Sequence, residues 1–225
     1  MNVIHALGID GAREATGIAV VIDVLRAFTV SAYAIAGGAR ECLLVPAVDE
    51  ARVLAAATPG AVLSAEVDGL PVAGIDISNS PTQIAAADVR GHTVVQRTTA
   101  GAPVINSVLR ADAIYAASLV VARATAQACL LRQPTTVTLI ASGDYPEDHA
   151  CAEYIDALLH RARTKDLEEL LQPLYESKRY REFAQGDWPG FPKTDLDLAL
   201  QADRFDFALR ATRESSHVRL AREPA

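Results

Sequence analysis

The feature that most constrains the fold of this 225-residue chain is an alternation of short apolar runs with alanine-rich stretches of helical length. The runs are short enough for buried strands, and each stretch between them is long enough for one helix. This alternation predicts a layered α/β/α fold in which helices cover a sheet. The predicted strands are residues 19–23, 42–46, 62–66, 94–98, 114–118 and 137–142.

The six runs fall into two groups of three, which predicts two similar, intertwined β-α-β-α-β halves. We place the first half at residues 1–90 and the second at 91–160. The chain then becomes highly charged, and helical patterns near 166–183 and 195–211 predict a helical C-terminal appendage over 161–225, packed on the same globule. The predicted helices that connect strands within the halves are 25–39, 48–57, 104–110 and 121–132.

The net charge of −7, from 21 basic and 28 acidic side chains, lies entirely in the first 159 residues. That part holds nine arginines, no lysine and 16 acidic residues, whereas the remainder holds 12 of each sign. An acidic chain lacks the positive footprint that nucleic acids and anionic membranes require, so we expect neither as a partner. Without lysine, a strongly anionic ligand needs arginines, helix N-termini or a metal ion.

The three cysteines, Cys42, Cys129 and Cys151, are odd in number, widely spaced and surrounded by apolar residues. This pattern favours small buried side chains in a reducing compartment over disulfides or a zinc site. No basic segment followed by an apolar one begins the sequence, and no run of about 18 apolar residues could span a bilayer. We expect a cytoplasmic protein without a membrane partner. The sequence leaves the oligomeric state open, with a homodimer among the alternatives.

Polar residues that follow the predicted strands are the first candidates for a ligand site. In open α/β sheets, ligands bind beyond the carboxyl ends of the strands. In one such stretch, Asp23 and Arg26 form a charge pair at a strand mouth, where polar residues are disproportionately functional. The five polar stretches are residues 23–26, 66–69, 74–81, 97–102 and 143–148.

Several of these residues also fit a purely structural role at a helix start. Residues 80–83 predict such a start, with serine as the N-cap and proline at the first helical position. Thr98 and Thr99 either cap the next helix or help to bind an anion at its N-terminus. Glu147 and Asp148 either complement the dipole of their helix or take part in chemistry.

Common nucleophile and phosphate-binding motifs are absent from the sequence. There is no nucleophile elbow, Walker loop, zinc-protease motif or Gly-x-Gly-x-x-Gly. No cysteine is followed six positions later by arginine, and Asp23 is followed two positions later by Leu25 rather than by aspartate. The five histidines show no metal-ligand spacing, so we expect them to be structural or exposed.

Four motifs, in this order along the chain, resemble those of the 2-phosphosulfolactate phosphatase family. Family members share a Val-Ile-Asp-Val-Leu-Arg-Ala block, a Gly-Phe-Asp-x-x-Asn-Ser-Pro block, a Thr-Thr-Asn-Gly-Thr block and a late Glu-Asp pair. The corresponding blocks here are residues 21–27, 74–81, 98–102 and 147–148, and the likeness extends from about residue 20 to residue 155.

The resemblance implies a magnesium-dependent phosphatase that hydrolyses a small anionic phosphoester, 2-phosphosulfolactate, to sulfolactate and phosphate in coenzyme M biosynthesis. Mg²⁺ prefers oxygen ligands, and it can neutralise charge on a transferring phosphoryl group in a core with few cations. The predicted metal ligands are Asp23, Asp76, Glu147 and Asp148, and these four with Arg26 are the predicted catalytic residues. The residues predicted to bind the substrate are Arg26, Glu66, Asn79, Ser80, Arg97, Thr98, Thr99 and Gly101.

Three positions depart from the family pattern. Val67 replaces the arginine of a further family block, Glu-Arg-x-Gly, which corresponds to residues 66–69, and Ala100 and Ala102 replace asparagine and threonine in the Thr-Thr-Asn-Gly-Thr block. Polar groups that could bind phosphate, sulfonate or carboxylate are therefore missing. Two alternatives stay open, namely a protein that binds a small anionic metabolite without hydrolysing it and a phosphatase for a different small phosphoester. Direct attack by water and a transient phospho-enzyme on Ser80 or a threonine are both compatible with the sequence.

Overall fold

The computed structural model describes residues 1–75, 77–162, 166–186 and 188–225, which form ten strands and ten α-helices. The strands are β1 (Asn2–Leu7), β2 (Ile18–Ile22), β3 (Glu41–Val45), β4 (Val62–Val67), β5 (Leu70–Pro71), β6 (Thr93–Arg97), β7 (Ala113–Ala117), β8 (Thr136–Ala141), β9 (Phe207–Arg213) and β10 (Val218–Pro224). The helices are α1 (Gly8–Glu14), α2 (Ala27–Ala36), α3 (Val48–Ala57), α4 (Pro81–Ala86), α5 (Gly101–Asn106), α6 (Ala122–Leu131), α7 (Pro146–Leu159), α8 (Leu167–Glu176), α9 (Lys178–Gln185) and α10 (Thr194–Ala199).

All six predicted strands are confirmed, as β2, β3, β4, β6, β7 and β8, and they interleave as predicted. The strand order of the sheet is β1-β8-β2-β7-β9-β10-β3-β6-β4-β5. Strand β2 of the first half pairs in parallel with β7 and β8 of the second half. In the same way, β6 of the second half lies between β3 and β4. Each half thus places one strand in the centre of the other's group, while the division of the chain at residues 90 and 160 stays a prediction.

Side chains on opposite faces of the sheet belong to different hydrophobic cores, three in all among the described residues, which confirms the layered arrangement. Along β2, Ala19 and Val21 belong to one core, and Val20 and Ile22 belong to a second core. Successive side chains of a strand point to opposite faces, so a central strand covered by helices on both sides is apolar throughout. None of the helices described is long and apolar enough to cross a bilayer.

The end of the chain differs from the predicted helical appendage. Helices α8, α9 and α10 are present, but the prediction of a helix over 195–211 is wrong beyond Ala199. Strands β9 and β10 instead form an antiparallel hairpin that joins β7 of one strand group to β3 of the other. The physical reason is a period of two, since Phe207, Leu209 and Ala211 all face one core and pack there. Strands β1 and β5 and helix α1 were not predicted.

Because the hairpin fills the centre of the sheet, we expect it to be essential to stability. Leu209→Ala removes a fully buried side chain and should lower the free energy of unfolding by about 2–5 kcal/mol, measured by urea denaturation. Val53→Ala, at a position 70% exposed, is the control and should change it by less than about 0.5 kcal/mol. Equally small effects of both substitutions would show that the hairpin is peripheral.

Candidate functional site

A cavity of about 290 Å³ lies beyond the carboxyl ends of the parallel strands, where sequence reasoning placed the ligand site. Strand ends and the loops after them supply one side of its wall. Helix α9, the loop after it and α10 form the C-terminal segment, and the first two of these supply the other side of the wall. This side was not predicted from the sequence. The lining residues are Asp23, Leu25, Arg26, Glu66, Asp68, Gly69, Asn79, Thr99, Ala100, Tyr145, Arg179, Phe183, Trp188 and Phe191.

Asp23 follows β2 directly and is a buried carboxylate in the cavity wall. Its Oδ1 accepts a hydrogen bond of 2.8 Å from the backbone N–H of Ala27, so Asp23 also caps α2. Burial raises the pKa of Asp23 to about 6, and the negative charge of Glu66 adds to the rise. A Cβ atom at Gly101 would lie 2.8 Å from Asp23 Oδ2, which explains why glycine occupies this position.

Glu66, at the end of β4, connects the loop after β6 with the turn after β4 through hydrogen bonds to its carboxylate. Its Oε2 accepts hydrogen bonds from the Gly69 N–H, at 2.6 Å, and the Thr99 hydroxyl, at 3.0 Å. Its Oε1 accepts from the Thr99 backbone N–H. The carboxylate is therefore oriented by three donors, and it lines the cavity beside Thr99.

The Arg26 guanidinium donates hydrogen bonds to acceptors in the C-terminal segment and in the turn after β4. Its Nη1 donates to Asp195 Oδ2 at 2.9 Å and to the Gly190 carbonyl at 2.6 Å, and its Nη2 donates to the Gly69 carbonyl at 3.3 Å. The Asp195 Oδ1 accepts from the Ser80 hydroxyl at 2.7 Å. Asp195 was not predicted as a site residue, yet this fully buried carboxylate positions both a predicted catalytic arginine and the N-cap of α4.

Asp148 and Glu147, at the start of α7, are buried behind the cavity rather than in its wall. Asp148 accepts hydrogen bonds from the Val24 N–H at 2.8 Å and the Ser142 hydroxyl at 3.1 Å. Burial raises its pKa well above the usual value, and the charges of Asp23 and Glu147 raise it further.

Glu147, which is buried next to Asp148, contacts the cavity-lining residue Arg179. Its Oε1 accepts from Arg179 Nε at 3.1 Å, and its Oε2 is buried with no hydrogen-bond partner among the described residues. Burial raises the pKa of Glu147, although the Arg179 charge opposes the rise. Arg179 itself lines the cavity.

The predicted site residues fall into two groups by position. Five of them line the cavity, namely Asp23, Arg26, Glu66, Asn79 and Thr99. The others that the structure describes lie outside the lining, and Asp76 lies outside the described residues. Those outside the lining are Ser80, Arg97, Thr98, Gly101, Glu147 and Asp148.

Three residues outside the lining have structural roles, which were weighed against function from the sequence for Ser80 and Thr98 but not for Arg97. Ser80 accepts from the Gln83 N–H and caps α4, and Thr98 accepts from the Ala102 N–H at 3.0 Å at the start of α5. Arg97 donates to the carbonyls of Pro46 and Glu66 and to the Thr99 hydroxyl.

The most important residues that sequence reasoning missed are Arg179 and Asp195, together with the aromatic side chains near them. They lie more than 100 positions from Asp23 and Arg26, in a charge-rich segment without a motif. The segment does contain the cluster Trp188-Pro189-Gly190-Phe191, which is unusual in a chain with 5% aromatic residues and could have suggested a packed wall.

Two of the three departures from the family pattern lie at or next to the cavity. Ala100 lines it, and Val67 is exposed beside the lining residue Asp68. Ala102, by contrast, is fully buried in α5 and packs in a hydrophobic core. The first two positions therefore bear on ligand contacts, whereas the third bears on packing.

The carboxylates of the cavity fit Mg²⁺ better than a metal that needs a cage of protein ligands. No group of three histidine, cysteine or carboxylate side chains in the described parts of the chain could hold a metal ion. Mg²⁺ requires only one or two carboxylates, since water and substrate phosphate supply the remaining ligands. Asp23 and Glu66 line the cavity together and repel each other electrostatically, so a cation between them would be stabilising.

The raised pKa of Asp23 gives a prediction about stability and pH. The pKa is about 6 in the folded protein against 3.8 for an ordinary aspartate, so ionisation costs stability as the pH rises from about 4 to about 6. Asp23→Asn removes this charge, and in chelator-treated protein it should raise the free energy of unfolding at pH 7.5 by roughly 1–3 kcal/mol. Near pH 4 the substitution should have little effect. Urea denaturation at both pH values measures the difference.

The control for this experiment is Asp112→Asn, at an exposed aspartate, which should change stability little at either pH. A stabilisation by Asp23→Asn that is the same at pH 4 and pH 7.5 would contradict the electrostatic explanation.

Comparison with known sequences is consistent with this geometry. The sequence model of the 2-phosphosulpholactate phosphatase family matches residues 8–209. A probable 2-phosphosulfolactate phosphatase of Bacillus subtilis (strain 168) is 32% identical over 200 residues, which cover 87% of each chain. Relatives of the same name are 34% identical in Carboxydothermus hydrogenoformans, covering 71% of this chain and 68% of the relative, and 31% identical in Clostridium perfringens (strain SM101), covering 78% and 75%. The chain therefore belongs to the 2-phosphosulfolactate phosphatase family, as its four motifs predicted.

Proposed function

We propose that this protein hydrolyses 2-phosphosulfolactate to sulfolactate and phosphate, the activity named for its relatives. The observation that carries the proposal is the meeting of Asp23, Arg26, Glu66 and Asn79 in one cavity at the carboxyl ends of the strands. The cavity volume of about 290 Å³ is at the small end of the range for ligand sites, which suits a three-carbon phosphoester better than a nucleotide.

We further propose that the reaction depends on Mg²⁺ held by Asp23 and Glu66. When bound, Mg²⁺ would neutralise negative charge on the phosphoryl oxygens as the ester bond breaks. Of the four carboxylates proposed as ligands from the sequence, Asp23 is the described one that lines the cavity. Glu147 and Asp148 accept hydrogen bonds behind the cavity wall, where they would orient residues of the wall and add negative charge near it.

The protein's own residues would bind and orient the ester around this ion. Arg26 is fixed by Asp195 and two carbonyls, so its guanidinium can face a phosphoryl oxygen without losing conformational freedom on binding. Asn79 is also oriented in advance, because its Oδ1 accepts from Gln96 Nε2 at 3.1 Å. Such preorganised polar groups favour the charge distribution of the transition state.

Direct attack by water is our preferred route over a phospho-enzyme. The Ser80 hydroxyl lies outside the cavity lining, donates to Asp195 and accepts from the Gln83 N–H. The Thr98 hydroxyl also lies outside the lining and accepts from Ala102 N–H. Thr99 does line the cavity, but its hydroxyl donates to Glu66 and accepts from Arg97 and from the Asp68 N–H. These hydrogen bonds engage the hydroxyls of Ser80, Thr98 and Thr99, which supports the proposal of direct attack by water.

The cysteines are no better suited to nucleophilic attack. Burial raises the pKa of Cys42 and of Cys129 to about 12 and that of Cys151 well above its usual value. A thiol needs to ionise in order to attack, and these three thiols remain protonated at neutral pH.

The absence of polar groups at Val67 and Ala100 favours one second candidate function, hydrolysis of a different small phosphoester. Under both proposals the reaction and the site are the same, and only the non-transferred part of the substrate differs. A role in coenzyme M biosynthesis, a cytoplasmic location and assembly as a homodimer are further proposals that rest on the sequence analysis.

The central test measures phosphate release from 2-phosphosulfolactate and from a panel of small phosphomonoesters. We expect turnover with Mg²⁺, loss of turnover with a chelator, and a fall in kcat of about 100-fold or more for Asp23→Asn. Mg²⁺ should also raise the Tm of the natural protein, and Asp23→Asn should abolish that rise. Turnover that is equal with and without metal would overturn the magnesium proposal, and binding without phosphate release would support the non-catalytic alternative.

The route of attack can be tested by acid quenching during turnover of substrate labelled in its phosphoryl group. We expect no protein-bound label, and Ser80→Ala should retain phosphate release because the Ser80 hydroxyl is outside the cavity lining. Stable label on the natural protein that disappears in Ser80→Ala would instead establish a phosphoserine intermediate. Loss of the N-cap should lower the stability of this variant by about 1 kcal/mol, so turnover is measured well below its Tm.

A further inference from the structure

Two arginines of the cavity wall flank a stacked pair of aromatic rings. The rings of Phe183 and Phe191 are nearly parallel, at 10°, with centroids 3.9 Å apart. The Arg26 guanidinium lies 4.1 Å from the Phe191 ring centre, and that of Arg179 lies 4.7 Å from the Phe183 ring centre. Arg179 also lies 4.1 Å from the ring of Tyr145. The stack holds the two cations apart, each against the face of a ring.

The two guanidiniums differ in how much hydrogen-bonding capacity remains for a ligand. Arg26 donates to Asp195 and to two carbonyls, and the Asp195 carboxylate balances its charge. Arg179 donates Nε to Glu147 and Nη2 to the Leu25 carbonyl. Within the described parts of the chain, Nη1 of Arg179 has no hydrogen-bond partner, and the residue lines the cavity.

The arginines also differ in exposure. The Arg26 side chain is 3% exposed, and the lining residues Asp23, Glu66 and Asn79 are buried as well. The Arg179 side chain is 28% exposed, and Trp188, which also lines the cavity, is partly exposed. A phosphoester whose phosphoryl group binds among the buried residues could extend its remaining groups towards the more exposed Arg179.

We propose that Arg179 determines substrate specificity by binding an acid group of the substrate that is not transferred. This inference rests on the proposed function and refines it, because it requires a phosphoester that carries at least one further carboxylate or sulfonate. Guanidinium nitrogens form strong charge-assisted hydrogen bonds to such groups. Arg179 thereby supplies a cation to a wall in which position 67 has none.

The test separates the two parts of the substrate by using the two reaction products as probes. Sulfolactate carries the acid groups that are not transferred, and inorganic phosphate represents the transferred group. In Arg179→Gln we expect the dissociation constant of sulfolactate to rise by about 10- to 100-fold, and that of phosphate to change by less than about threefold. Calorimetry measures both constants, and inhibition of turnover provides a second readout.

Arg181→Gln is the matched control, because Arg181 lies on the same helix and is exposed, and its Nη1 donates to the Glu176 carbonyl. Both dissociation constants should remain unchanged in this variant. Arg179→Lys keeps a positive charge and should recover part of the sulfolactate affinity. Tm values and circular dichroism spectra of all variants establish that each is folded.

The possible results distinguish this inference from its alternatives and from failure of the proposed function. Equal weakening of both ligands by Arg179→Gln would overturn the inference, and so would a sulfolactate affinity that Arg179→Gln leaves unchanged. A natural protein that binds sulfolactate through Arg179 but releases no phosphate would leave the inference standing and refute the phosphatase proposal.

Discussion

The buried ion pair between Arg26 and Asp195 is the interaction on which the site depends. Arg26 follows a strand of the first half, and Asp195 lies 169 positions later, so the pair closes the C-terminal segment over the strand ends. The same carboxylate accepts from Ser80 and from the Thr82 N–H at 3.0 Å, which fixes the start of α4. Breaking one side of such a buried pair leaves an uncompensated charge and costs about 3–5 kcal/mol. The cavity therefore takes up its observed arrangement only when the C-terminal segment is packed against the strand ends.

The buried carboxylates near this ion pair lower the free energy of unfolding. Burial raises the pKa values of Asp23 and Asp148, and nearby negative charges add to the rise, that of Glu66 for Asp23 and those of Asp23 and Glu147 for Asp148. Glu147 has a buried oxygen without a hydrogen-bond partner in the described residues. A packed core gains nothing from such a cluster, because apolar residues of similar volume would avoid the desolvation penalty. The hydrophobic cores on the two faces of the sheet offset the cost. Concentration of perturbed groups at one cavity is the pattern that catalytic sites show.

Sequence reasoning succeeded where structure is determined by neighbours along the chain. The six parallel strands and the start of α4 follow from local apolar runs and from the cap formed by Ser80, and the polar strand ends follow from the general geometry of parallel sheets. It failed where distant contacts decide. The pattern at 195–211 predicted a helix, but the gap between β7 and β3 selects an antiparallel hairpin that begins at Phe207. Asp195 and Arg179 could not be recognised for the same reason, since their partners lie in the first half or at the start of α7.

The C-terminal segment also changes how the departures from the family pattern are to be understood. From the first 159 residues alone, loss of arginine at position 67 leaves an acidic cavity with too few cations for a polyanionic substrate. The structure adds Arg179 to the wall, with its guanidinium 4.1 Å from the Tyr145 ring centre and 4.7 Å from the Phe183 ring centre. Stacking on the rings restricts the guanidinium without using its hydrogen-bond donors. Less side-chain conformational entropy is therefore lost when a ligand binds. If Arg179 binds the part of the substrate that is not transferred, as we propose, specificity resides in the C-terminal segment, whereas Asp23, Glu66 and Arg26 at the strand ends act on the phosphoryl group.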